Sequence, residues 1–420
     1  MLYAYYGDDY TGSTDVLESL SLAGIKTALF LAPPTPEQLA EFPSLQAIGI
    51  AGDSRSRSPH WMSDHLPRTF QALKAFGAPV THYKACSTFD SAPHVGSIGR
   101  AIELGIEAFN AKFVPIIVGA PHLGRYVVFG NLFASAGEVT YRIDRHPTMS
   151  RHPVTPMHES DLRQHLALQT ALPIGLVDLR DLTPAALEAA QRDGAAAVIF
   201  DSFDTASLKA VGALLWDAAV LEPLFAVGSS GLTQSLITSW QHHGIPPMAA
   251  EPKAAVSVDQ IAVFSGSCSP VTQAQIAWGI NHGFDDIALD AVELIANPLG
   301  PLNCVLRCLR AGRSPILYTS MGPLEASQNP YTEQLGVAIG KLLHAVLEQS
   351  DVRRVVLCGG DTSSHAMQQL PIRALTYAAP MTPGAPVCTA HAAGTKFHGL
   401  QLVLKGGQVG PVDFFGVAKG

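Results

Sequence analysis

Leu2-Tyr3-Ala4-Tyr5-Tyr6-Gly7-Asp8-Asp9-Tyr10-Thr11-Gly12-Ser13-Thr14-Asp15 opens the chain and decides its fold class. The run reads as a short apolar strand, an abrupt polar turn, and an amphipathic helix continued by Val16, Leu17, Leu20, Leu22 and Ala23. A strand feeding directly into a helix is the unit of an open α/β sheet, and ligands bind at such junctions, at the carboxyl ends of the strands. Adjacent carboxylates repel, and short polar side chains compete with helix formation, so folding alone gives little reason for Asp8-Asp9. A capping role for Asp9 or Ser13 explains one residue but not the set. The junction is therefore expected to face a ligand.

Working outward, strand and helix signals keep alternating. Apolar runs at 26–31 and 46–50, a helical period over 61–76, a strand at 80–84 and the polar stretch Cys86-Ser87-Thr88-Phe89-Asp90-Ser91 follow in turn. Further strands are expected at 113–118, 175–177, 196–200 and 225–227, with a hairpin excursion over 124–141. The segment 145–157 (RHPTMSRHPVTPM) is too rich in Pro for regular structure, and such loops are usually functional or disordered. Pro246-Pro247 to Pro252-Lys253 has the composition of a linker, after which strands are expected at 261–264, 287–289, 316–318, 354–357 and 400–404. The pattern predicts an α/β protein: two α/β domains with mainly parallel sheets and a cleft between them, over 1–245 and 259–420 with 246–258 as linker.

Composition agrees and narrows the function. A chain of 420 residues with 47% hydrophobic and 15% charged residues can bury large cores. A net charge of -8 and the absence of a Lys/Arg run argue against a nucleic-acid partner. No apolar run reaches the roughly 20 residues of a membrane helix, so no membrane partner is expected. The start lacks a basic leader, and six scattered Cys without a CxxC pair point to a reducing cytoplasm. Cys304 and Cys308, four apart in an apolar run, read as core residues. Homo-oligomerisation is left open.

Four turns have the composition of anion cradles: Ser265-Gly266-Ser267-Cys268-Ser269, Gly228-Ser229-Ser230-Gly231, Gly359-Gly360-Asp361-Thr362-Ser363, and Lys405-Gly406-Gly407. Small residues let backbone N–H groups approach an anion, and a helix start favours negative charge. Three such turns in one predicted domain point to a phosphate or nucleotide. Neither GxxxxGK[ST] nor GxGxxG is present, which disfavours a P-loop ATPase and a dehydrogenase. Asp361 is placed to ligate a metal or polarise an attacking hydroxyl, with a helix cap as the bland alternative. The sixteen His show no metal-ligand spacing, so no protein-held metal is assigned. Arg55, Arg57, Lys84 and Arg100 are candidate cations for a carboxylate, and Asp8, Asp9, Ser87 and Asp90 can bond hydroxyls.

The ordered motifs Asp8-Asp9-Tyr10-Thr11-Gly12, Lys84-Ala85-Cys86-Ser87-Thr88-Phe89-Asp90-Ser91, Ser265-Gly266-Ser267-Cys268-Ser269, Gly359-Gly360-Asp361-Thr362-Ser363 and Lys405-Gly406-Gly407 resemble the four-carbon acid sugar kinase family, which includes kinases for 3-oxo-tetronate, threonate and erythronate. The resemblance spans nearly the whole chain. It implies a sugar-acid-binding N-terminal domain, a nucleotide-binding C-terminal domain, and ATP-dependent phosphorylation of the terminal hydroxyl of a four-carbon sugar acid, with Mg2+ or a similar ion. By that similarity Asp8, Asp9, Lys84, Ser87, Thr88 and Asp90 would line the acid site. Ser265, Ser267, Gly359, Gly360, Asp361, Thr362 and Gly407 would line the ATP site, with Gly266 in the same turn. Arg55 joins the acid site as a candidate cation, and Asp361, Asp9 and Asp90 are the candidate catalytic carboxylates. The chain departs from the family pattern at Gly7, where Ala is frequent, at Ser364-His365, where many members carry Gly, and at Gly406-Gly407-Gln408-Val409-Gly410. The rival readings are a non-catalytic nucleotide or sugar-phosphate binding protein and a hydrolase built on Asp8-Asp9.

Overall fold

The first strand is buried on both faces, as expected for the middle of a parallel sheet rather than its edge. In a computed structural model, which describes residues 1–152, 154–245, 254–322 and 332–420, the first half carries β1 (Tyr3–Gly7), β2 (Thr27–Phe30), β3 (Ala47–Ala51), β4 (Val80–Lys84), β5 (Val114–Ile117), β6 (Arg125–Val128), β7 (Asn131–Ala136), β8 (Val139–Arg142), β9 (Ile174–Val177), β10 (Ala197–Phe200) and β11 (Leu224–Gly228). The second half carries β12 (Ala262–Ser265), β13 (Asp285–Ala288), β14 (Pro315–Tyr318), β15 (Arg354–Cys358), β16 (Ala374–Thr382), β17 (Ala385–His391) and β18 (Gln401–Lys405). Two parallel arrays result, ordered β2-β3-β1-β4-β11-β5-β10-β9 and β13-β14-β12-β15-β18. Helices cover their faces, the first of them Tyr10–Leu22.

The two mainly parallel arrays expected from the sequence are present, and they are joined. The antiparallel ribbon β16–β17 pairs with β18 on one side and with β2 on the other, where Ala374 lies opposite Phe30 and Leu375 opposite Leu29. Among the described residues the two arrays thereby become one sheet of fifteen strands. The ribbon is illegible as strand because Pro380 and two register shifts break its alternation. One apolar cluster runs across both halves, joining Tyr5, Tyr10 and Leu17 with Leu342, Leu357, Met367 and Leu375.

Smaller expectations shift too. The excursion at 124–141 is a three-stranded antiparallel sheet, β6-β7-β8. The Pro-rich segment holds short 3-10 turns at Ile143–Arg145 and Met149–Arg151. Cys308 is buried but Cys304 is exposed, so only one of that pair is a core residue. Residues 246–253 of the expected linker lie outside the described residues. Among the described residues no helix is long and apolar enough to cross a membrane.

Register positions the chemistry. Gly7, ending β1, lies level with Ala51 on β3 and Lys84 on β4. Ser265, ending β12, lies level with Cys358 on β15, which lies level with Lys405 on β18. The motif-bearing turns therefore leave three adjacent strands at one height in each half.

Candidate functional site

In the N-terminal half the backbone folds Asp8 and Asp9 into different environments. Asp9 caps helix Tyr10–Leu22: its Oδ1 accepts from the Gly12 N–H at 2.6 Å, and its Oδ2 accepts from Thr11 Oγ1 at 3.0 Å and Arg55 Nη1 at 3.3 Å. Asp8 is 5% exposed, and its Oδ1 has no hydrogen-bond partner among the described residues. Burial, reinforced by Asp9 and opposed by Arg55 and Lys84, pushes its carboxyl up to about 7. Arg55 also binds Asp90, its Nη2 donating to both carboxylate oxygens at 3.0 and 2.9 Å. Asp90 further accepts from Thr88 Oγ1 and from Thr155 Oγ1. Burial alone would raise the Asp90 carboxyl, but Arg55, His152 and Thr88 outweigh it and hold it well below the usual range. Lys84, a candidate cation at the end of β4, is 3% exposed, with Nζ 3.8 Å from Asp15 Oδ2. Ser87 is half-buried beside it. Arg57 and Arg100 are tied up elsewhere, Arg57 with Asp53 and Glu333, Arg100 with Glu103 and Ser63.

In the C-terminal half three small-residue turns close on one another. A Cβ on Gly266 would stand 2.4 Å from Thr362 Oγ1, and one on Gly407 would stand 2.9 Å from Ser267 Oγ. Gly359 has φ 112°, which a side chain resists, and it precedes helix Gly360–Met367 with no side-chain cap, leaving the helix's first N–H groups available to an anion. Ser265 Oγ accepts from the Ser267 N–H at 3.3 Å. Beneath the turns Lys405 Nζ donates to Thr272 Oγ1 at 3.0 Å and to the Gly406 carbonyl at 2.9 Å. Burial lowers its ammonium, with Cys358 opposing. Asp361 sits in the first turn of the helix, not at its cap. Burial raises its carboxyl against Arg55, while Asp9 adds to the rise.

The fourth small-residue turn, 228–231, is not a cradle. A Cβ on Gly231 would come within 1.8 Å of the Gly119 carbonyl, and Ser229 Oγ donates to the Val118 carbonyl at 2.6 Å. Its residues are small because they pack on the loop leaving β5.

The two clusters meet. The Tyr10 N–H donates to Ser364 Oγ at 3.2 Å, and that hydroxyl donates to the Gly360 carbonyl at 2.9 Å. A Cβ on Gly360 would lie 2.9 Å from Asp9 Oδ2. Helix starts 10 and 360 therefore face each other, with Asp361 between the acidic cluster and the glycine turns. The sequence did not single out Thr155 as a site residue. It reaches Asp90 from the Pro-rich segment, whose irregular composition marked it only as a loop with a purpose. Nor did it single out Thr272, which the helical period hides.

This α/β arrangement sets a buried cluster of carboxylates and cations against three small-residue turns at facing helix starts. The chain belongs to the family whose two parts are described as a sugar-binding N-terminal domain, matched over residues 3–236, and a nucleotide-binding C-terminal domain, matched over residues 262–415. It is 43% identical to a Paraburkholderia graminis protein named 3-oxo-isoapionate kinase, covering 100% of this chain and 94% of that one. It is 30% identical to a 3-oxo-tetronate kinase of Methylobacterium radiotolerans, covering 98% and 97%. Among solved structures, a Salmonella typhimurium LT2 protein superposes with a TM-score of 0.75 at 25% identity, covering 99% of this chain and 98% of that one. A Haemophilus influenzae protein at 24% identity and a TM-score of 0.70, covering 99% of each chain, shares the fold.

Proposed function

We propose that this chain is an ATP-dependent kinase that phosphorylates a hydroxyl of a small oxo sugar acid, of the 3-oxo-isoapionate or 3-oxo-tetronate kind. The observation that carries the reading is the apposition of the two helix starts, which sets the Asp8–Asp9–Asp90 cluster against the uncapped Gly359–Gly360 turn. The kinase names of relatives matched along nearly the whole chain support it.

In this reading the turns 265–267, 359–362 and 406–407 hold the ATP phosphates with backbone N–H groups, and Lys405 braces the last of them from beneath. Asp8 accepts from substrate hydroxyls. Asp90, neutralised by Arg55, positions that guanidinium and the 152–155 segment rather than taking a proton. Asp361 takes the proton of the attacking hydroxyl, since it stands between the two clusters and burial raises its basicity. A divalent ion fits this donor set only in part, because the described residues hold no group of three His, Cys, Asp or Glu able to ligate one. Mg2+ commonly rests on one or two carboxylates and the substrate phosphates. Asp9, with no side chain between it and the cradle, is the carboxylate that would hold it, and the ion would neutralise phosphate charge.

The purified chain, given ATP, Mg2+ and a panel of oxo-tetronates, tetronates and oxo-isoapionate, is expected to release ADP with at least one acid and none without. ATP binding with no phosphorylated product from any acid would leave a binding protein instead.

A further inference from the structure

Two guanidinium groups near the carboxyl ends of the N-terminal strands, Arg55 after β3 and Arg125 after β5, have opposite standing. Arg55 is saturated: two carboxylates, Asp9 and Asp90, receive it. A substrate carboxylate arriving there would meet two negative charges already in place. Arg125 opens β6, where the chain returns from the carboxyl end of β5 through the turn Pro121–Leu123. It is half-buried, and no carboxylate lies within ion-pair distance of it among the described residues. Its Nη1 donates to the Leu123 carbonyl, but its Nε is buried without a partner. Burial lowers its guanidinium, and Cys86 and Tyr126 oppose this only in part.

A buried arginine need not imply a ligand. Arg354 also lacks a carboxylate, yet it donates to Gln401 Oε1 and to the carbonyls of Ala418 and Val256, which satisfies its fork. Arg125 has no such set. A buried guanidinium N–H with no acceptor is costly unless something receives it.

Its surroundings name the ligand. Cys86, whose neighbour Thr88 hydrogen-bonds Asp90, lies within electrostatic reach of both Arg55 and Arg125. His122, in the turn before Arg125, senses Lys84, Asp15 and Arg125 together. Lys84 Nζ makes no hydrogen bond among the described residues beyond its 3.8 Å approach to Asp15. Arg55 is thus neutralised by Asp9 and Asp90, whereas Lys84 has only its 3.8 Å approach to Asp15 and Arg125 has no carboxylate partner among the described residues.

We infer that Arg125, assisted by Lys84, receives the carboxylate of the acid substrate, while Arg55 serves to position Asp9 and Asp90. This rests on the sugar-acid kinase reading. With Nη1 held by the Leu123 carbonyl, the unpartnered Nε and the Nη2 beside it match a carboxylate through two parallel hydrogen bonds, which an ammonium cannot reproduce. The reacting hydroxyl at the other end of the acid is then directed toward Asp8, Asp361 and the cradle.

The test uses the full chain with ATP and whichever acid of the panel turns over fastest, alongside the methyl ester of that acid. Arg125→Gln is expected to raise KM for the acid roughly 10- to 100-fold, the scale of a charged hydrogen-bonded pair. KM for ATP should stay within twofold, and the preference for acid over ester should collapse. Arg125→Lys, which keeps the charge, is expected to recover part of the acid preference, and it carries the test alone if the Gln variant does not fold. Acid KM and acid-to-ester preference within twofold of the parent in both variants would overturn the assignment of Arg125 and leave the kinase reading standing. A parent protein that turns over no acid would overturn both.

Discussion

Asp361 and Gly359 stand three bonds of argument apart but do different work, and single substitutions separate them. In Asp361→Asn the helix start and the glycine turns persist, while the group proposed to accept the hydroxyl proton is lost. General-base removal typically costs 10²- to 10⁴-fold, so kcat is expected to fall by roughly that factor with KM for ATP nearly unchanged. Full activity in steady-state assays would remove Asp361 from the reaction. Gly359→Ala acts on the backbone. At φ 112° a Cβ costs about 1–3 kcal/mol, and it would also stand 3.1 Å from Thr362 Oγ1. The variant is expected to melt several degrees lower and to need tenfold or more ATP for half-maximal rate, measured by calorimetry and initial rates. A rise in KM for the acid instead would place the 359–362 turn on the wrong ligand. Ser364 belongs at this scale too. Its hydroxyl ties Gly360 to Tyr10.

At the scale of elements, the ribbon β16–β17 is what makes two arrays one sheet, and a carboxylate from the first helix holds its tip. Glu18 Oε2 accepts from the Gly384 N–H at 2.8 Å. Burial, partly offset by that N–H and reinforced by Asp15, lifts the Glu18 carboxyl to about 7 from an ordinary 4.5. Because the folded form binds its proton more tightly than the unfolded chain, Glu18 favours folding below about pH 4.5. That contribution is lost as pH rises through 7. Glu18→Gln keeps an acceptor for Gly384 without a charge to bury. Its melting temperature is expected to exceed the parent's at pH 8 and to approach it near pH 4.5. Parallel pH dependence of the two proteins would show that Glu18 is not buried against the ribbon. The ribbon also marks how far the sequence can be read. Strand β1, its turn and helix Tyr10–Leu22 were legible because apolar run, polar junction and helical period follow without interruption. The parallel strands expected at 80–84 and 354–357 were legible, the second ending one residue later, at Cys358. The ribbon was not, since Pro380 and the register shifts erase its period. Arg125 was not either, because its significance is the absence of an acid partner, a three-dimensional fact that no spacing encodes.

For the molecule as a whole, one continuous sheet has a thermodynamic consequence. Two α/β lobes joined by a linker alone would each own a core and would melt independently. Here Tyr10 and Leu17 of the first half pack in one apolar cluster with Leu342, Met367 and Leu375 of the second. Strand β2 hydrogen-bonds to β16, and Gln368 Nε2 reaches Asp53 Oδ2 at 3.2 Å. Unfolding either half exposes the apolar surface that the other half buries against it. At about 25 cal/mol per Å2 of such surface, even a few hundred Å2 couples the two transitions by several kcal/mol. Differential scanning calorimetry is therefore expected to show a single transition whose calorimetric and van't Hoff enthalpies agree. ATP, proposed to bind at the C-terminal turns, should raise that whole transition by mass action, by about 2.7 kcal/mol at a hundredfold excess over its dissociation constant. Two resolved transitions, with ATP moving only one of them, would mean that the ribbon joins the strands without joining the cores. A shared transition would mean that occupancy of the cradle is felt at Asp8 and Asp9 through the helix start that faces it.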